Sequence, residues 1–162
     1  MRKLALSIIW MILCFADLGA VTFRPSSISS QLQSSDGWVH GTVNGISYKK
    51  SSRGDIVTVV NLAVTNFGGF SKGEIVNPNF FNVLFPGGRW AGIDYKVVGA
   101  PSFVAGEKIV LLVNKLRDGF YIHNLALGKY SIKNIENSTY MQSAVFPDDK
   151  EIGKLSFNKF LS

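Results

Sequence analysis

An all-β domain, folded as a single closed or nearly closed antiparallel barrel with one or two short helices, is the fold this sequence predicts, with a two-sheet sandwich as the alternative. Three observations carry that expectation. Short apolar, β-branched runs recur between residues 37 and 135, glycine-rich turns separate them, and almost no stretch shows helical periodicity. The pattern centres on residues 80–113. There an apolar strand breaks at Pro86-Gly87-Gly88, a glycine-bounded segment follows, and Ala105-Gly106-Glu107 launches a second apolar strand.

The chain has 162 residues, 46% hydrophobic and 17% charged, enough for one domain with a core and too apolar for a disordered acidic chain. Residues 1–20 read as a secretory signal: Met1-Arg2-Lys3 is basic, residues 4–15 are apolar apart from Ser7, and Ala16, Gly19 and Ala20 are small. The apolar run is shorter than the roughly 20 residues a membrane span needs, so cleavage before the serine-rich segment is expected rather than a retained anchor. Export would follow the Sec route, to the periplasm or beyond the cell, with membrane contact only through the uncleaved signal. Cys14, the only cysteine, lies inside that signal, so the mature chain would have no disulfide and no thiolate metal site. Without Arg2, Lys3 and Asp17 the charge falls from +6 to about +5.

Residues 21–36 are polar, and Ile28 and Leu32 are spaced for a turn or two of helix over residues 27–34 with Ser27 as cap. Residues 37–136 form the barrel domain. Its first strand starts at Gly37, places Val39, Gly41 and Val43 on one face, and is bent at its glycines. After a polar loop over residues 49–55, residues 56–65 alternate as the best strand, and residues 67–74 form a turn-rich connection. Strands are expected at residues 80–85, weakly at 95–98, and at 108–113, 120–123 and 128–135. Arg117-Asp118-Gly119 supplies a hairpin turn, and Phe103 plugs one end of the core. Residues 137–162 should be a loop to residue 149 and a short helix bearing Leu155, Phe157, Phe160 and Leu161, capped by Ser156. The helix before the first strand is expected over one barrel opening, and the last helix outside. The expected core is Val43, Val60, Leu62, Val64, Val83, Phe85, Val110, Leu112 and Ile132.

Catalytic chemistry finds little material. His40 and His123 are the only histidines and share no ligand spacing, so each reads as a half-buried strand residue. No serine sits in a nucleophile elbow. Asp94, Glu107, Asp118 and Glu136 fall on turns or strand ends, and Glu107 is expected to bond the backbone of its own turn. Residues 86–92 lack the helix that a phosphate loop needs. Asn137-Ser138-Thr139 is a glycosylation acceptor only in a eukaryotic secretory route. No metal or cofactor is expected, and the domain is expected not to be an enzyme; a hydrolase is the least supported reading.

Gly41-Thr42-Val43, the run at residues 56–60, Lys72-Gly73-Glu74 and Pro86-Gly87-Gly88 occur in a fixed order. They are followed by Gly99, Pro101, Phe103 and Gly106-Glu107 leading into Val110-Leu111-Leu112, and by Gly128-Lys129-Tyr130-Ser131-Ile132. This ordered run resembles a recurring, poorly characterised bacterial exported domain. It is also distantly similar to the netrin-type module of metalloprotease inhibitors, an oligonucleotide/oligosaccharide-binding (OB) barrel. The resemblance implies an OB-like barrel. It does not bring the inhibitory mechanism, which depends on an N-terminal cysteine that this mature chain lacks.

The function expected from these residues is binding. The rim loops at residues 68–77 and 87–92 would meet a protein partner, such as an exported protease or envelope component, through Phe70, Arg89 and Trp90. The alternative is a glycan or polyanion on an open face with Trp38, Tyr121 and His123 and nearby lysines. Nucleic acid is not expected of an exported chain.

Overall fold

The computed structural model describes residues 26–71, 74, 77–149 and 153–161. The expected export signal lies outside the described residues, as do Lys72 and Gly73. The chain is mostly β, with two short helices and one large sheet.

Helix α1 (Ile28–Ser34) begins where the Ser27 hydroxyl accepts the Ser30 N–H at 3.2 Å. Strands β1 (Gly37–Lys50) and β2 (Ile56–Gly68) form a long antiparallel hairpin whose register slips between His40 and Gly41 and between Val43 and Gly45. The bends therefore fall at the glycines, as the sequence predicts. A Cβ on Gly41 would lie 2.3 Å from the Ala63 carbonyl oxygen, so only glycine lets the two strands cross this closely. Strand β3 (Phe81–Pro86) follows a 3-10 turn.

The weak strand expected at residues 95–98 lies earlier. Strands β4 (Gly88–Trp90) and β5 (Ile93–Tyr95) make a separate two-stranded ribbon. Its turn is Ala91-Gly92, at φ of 48° and 81°, the left-handed pair that a two-residue hairpin requires. Strands β6 (Lys108–Leu116) and β7 (Gly119–Ile122) turn at Arg117-Asp118. Strand β8 (Lys129–Ile135) reverses into β9 (Ser138–Ser143), so the loop expected from residue 137 is in its first part a strand. Glu136 and Asn137, at φ of 46° and 67°, make this turn without a glycine. Strand β10 (Lys154–Ser156) leads straight into α2 (Phe157–Leu161).

Eight strands form one sheet in the order β1-β2-β3-β7-β6-β8-β9-β10, and β1 also pairs with β6. Five of the strands thus pair in a cycle, β1 to β2 to β3 to β7 to β6 and back to β1. The cycle contains one departure from the antiparallel expectation: β3 and β7 run parallel, with Val83 beside Phe120 and Leu84 beside Tyr121.

Strand β6 is buried on both faces. Ile109, Leu111 and Val113 point into the main cluster with Val39, Val60 and Val83, while Val110 and Leu112 belong to a second cluster with Tyr130, Met141 and Ile28. The expected core residues Val110, Leu112 and Ile132 sit in that outer cluster, and Val64 is only partly buried. Both helices cover the same outer face: α1 contributes Ile28 and Leu32, α2 contributes Phe157 and Phe160. Helix α1 is therefore part of the outer layer of β6, not a plug over an opening.

Candidate functional site

The ribbon is fixed to the sheet at the far end of β1. The Thr58 hydroxyl donates to the Gly87 carbonyl at 2.8 Å, and the Tyr48 ring lies against Gly88, where a Cβ would come within 2.5 Å of it. Between ribbon and sheet lies a groove of about 490 Å³, walled by Ile46, Tyr48, Tyr95 and Lys96 and floored by Phe85 and Phe103. Of its lining, Ile46, Tyr48 and Tyr95 are each at least 40% exposed, and farther along the ribbon the equally exposed Trp90 and Ile93 line a second cleft. Arg89 and Asp94 pair across the ribbon at 3.7 Å, an exposed contact of little energetic weight.

Tyr95 and Pro86 also line a smaller cleft of about 280 Å³ with Arg53 and Tyr121, and Arg53 continues into a third with Arg117. Asp118 ties this region together by accepting from the Ser52 hydroxyl at 3.3 Å and the Tyr121 hydroxyl at 3.1 Å. Burial, and then Asp118, push the Tyr121 phenol upward.

The residues expected at the rim do not assemble as one cluster. Arg89 and Trp90 are on the exposed ribbon, over the far end of β1. Phe70 instead covers Gly37 at the start of β1, half-buried with its ring 5.2 Å from Phe120. The expected ligand face is likewise divided. Trp38 packs edge-on to Phe160 of α2 at 4.8 Å, Tyr121 lies against Val57, Val59 and Leu84, and His123 is buried under α1. Tyr121 borders the smaller cleft. Ile46, Tyr48 and Ile93 were missed as surface candidates. The signal available was Gly45, beyond which β1 carries its apolar residues outward.

Glu107 does more than bond its own turn. Its carboxylate accepts the Val104 N–H at 3.4 Å, as expected, and also takes the Ser131 hydroxyl and the Lys129 ammonium at 2.9 Å each. The Lys129 ammonium is buried, also donates to the Ser102 carbonyl, and lies 4.5 Å over the Phe103 ring. Through Lys129 this polar knot holds Ser102 and Phe103, two residues of the groove lining. Among the described residues no three His, Cys, Asp or Glu side chains come together as metal ligands. Compared with known protein families, curated proteins and solved structures, the chain has no significant match.

Proposed function

We propose that this chain is an exported, non-catalytic interaction module on a single OB-like barrel, and that it seats a protein partner against the β4–β5 ribbon and the groove beneath it. The observation that carries this reading is a set of five large, exposed apolar side chains on the ribbon and the strand beneath it: Ile46, Tyr48 and Tyr95 line the groove, and Trp90 and Ile93 line a second cleft on the ribbon itself. Scattered exposed apolar residues need no explanation, but a contiguous patch of them marks an interaction surface. Trp90, Tyr95 and Arg89 are of the types that dominate binding energy at such surfaces. Strand β5 has β4 on one side and no strand on the other among the described residues, so an extended partner segment could add to it. The barrel is supported by the five-strand pairing cycle with its single parallel contact. Export is supported by the basic start and apolar run of the sequence.

The test is a pull-down from envelope extract with the wild type and an Arg89→Ala/Trp90→Ala double variant. A partner such as an exported protease or envelope component should be held by the wild type and lost by the variant. Identical captures, or none by either, would sink the reading.

A glycan or polyanion is the second reading, and the clefts beside Tyr121 favour it. Arg53 and Arg117 line them and enter none of the ion pairs among the described residues. Binding there should weaken steeply with ionic strength, whereas a ribbon-anchored protein contact should change little.

A further inference from the structure

The two histidines lie in the same layer, one beneath each helix. His123 is buried, with Nε2 at 3.0 Å from the Ser34 hydroxyl of α1 and 2.9 Å from the Asn124 side-chain nitrogen. His40 projects from the outer face of β1 with its ring 4.7 Å from Phe157 of α2. In both rings Nδ1 is buried and has no hydrogen-bond partner.

We propose that the two helices form an acid-releasable cover over the outer face of β6, held shut by two uncharged imidazoles. Nε2 of His123 is engaged by Ser34 and Asn124, whereas Nδ1 is buried without a partner, so a neutral ring can leave Nδ1 bare but a charged ring cannot. A second proton would leave a buried Nδ1–H without an acceptor and charge a side chain that is 6% exposed. Among the described residues Asp36, which follows α1, is the charge that favours it. Around His40 the balance is worse. Val110 and Asn66 lie opposite it on β6 and β2, and Lys108 adds a like charge.

Burial lowers both imidazoles below their usual 6.5. Once a helix lifts, its histidine reaches water and regains that value. Below 6.5 the open form binds the proton first, so each further pH unit, down to the lowered value, raises the open fraction about tenfold per histidine. With seven and five residues the helices are the elements that should open before the sheet does. Opening exposes Val110, Leu112, Tyr130 and Met141, a second apolar face distinct from the ribbon groove.

Amide hydrogen exchange on the mature chain, corrected for intrinsic rates, tests this between about pH 7.5 and about pH 5.5. The opening constants of α1 and α2 should rise on acidification, each by up to about tenfold. His123→Gln should abolish the response of α1 and leave that of α2, and His40→Gln should do the reverse. A response smaller than about twofold in the wild type, or one that survives in both variants, overturns the proposal. If a variant does not fold, the wild-type imidazole titration decides by NMR: either ring titrating at or above 6.5 also overturns it.

Discussion

The Glu107 carboxylate lies 2.9 Å from the ammonium of Lys129, joining the turn before β6 to the first residue of β8. The two ends are unequally buried, with 7% of the lysine side chain exposed against 23% of the glutamate. Removing the acid strands a buried cation, whereas removing the lysine leaves a carboxylate that water can reach. Glu107→Gln should therefore cost about 3 kcal/mol and Lys129→Met clearly less, with the double variant recovering part of the loss. Urea unfolding of the four proteins checks the order. Equal costs for the two single changes would mean the pair is not buried as described.

Both faces of β6 should matter equally. Leu111 and Leu112 are each 0% exposed but point into different clusters. Leu111→Ala and Leu112→Ala should each lose about 2–5 kcal/mol, measured by denaturant midpoint at constant slope. A one-faced strand would tolerate one of them.

The two bend glycines of β1 should behave differently. Gly41→Ala forces a methyl against the Ala63 carbonyl and should cost about 2 kcal/mol or more. A Cβ on Gly45 meets nothing within 4 Å, so Gly45→Ala should be neutral or up to about 1 kcal/mol stabilising. Thermal midpoints of the two variants give the comparison directly.

Burial pushes the Tyr130 phenol up to about 12 from the usual 10.0. The folded state keeps the proton longer than the unfolded state, so this contribution is intact below pH 10 and is lost as pH rises toward 12. About 2–3 kcal/mol of stability should disappear across that window. Tyr130→Phe should remove this part of the alkaline loss, and absorbance titration of the wild type should show a late phenol that this variant lacks.

The sequence was most legible where one residue type has one structural use. Gly41 and Gly45 marked the bends of β1, Ser27 marked the start of α1, and Asp118-Gly119 marked the β6–β7 turn. The continuous apolar run of β6 could not reveal which face was inner, because both are covered. Strand β9 was hidden by its serine, threonine and glutamine, and by a turn made from Glu136 and Asn137 without glycine. The surface was harder still, since an aromatic residue reads alike whether it covers or displays. Trp38 and Phe70 meet rings far away in the chain, while Trp90 stays exposed. The contact of His123 with Ser34 joins residues 89 positions apart, which no local pattern encodes.

The parallel seam between β3 and β7 also governs the order in which the molecule can assemble. The β1–β2 and β6–β7 hairpins each need only neighbouring residues and can form early. Val83 and Phe120 cannot meet until the ribbon and the whole of β6 have been made, and closing that loop costs chain entropy before any contact returns it. Until then the interior faces of both hairpins are open to water and to other chains. The slow step of folding, and the window for aggregation, should therefore lie at this seam.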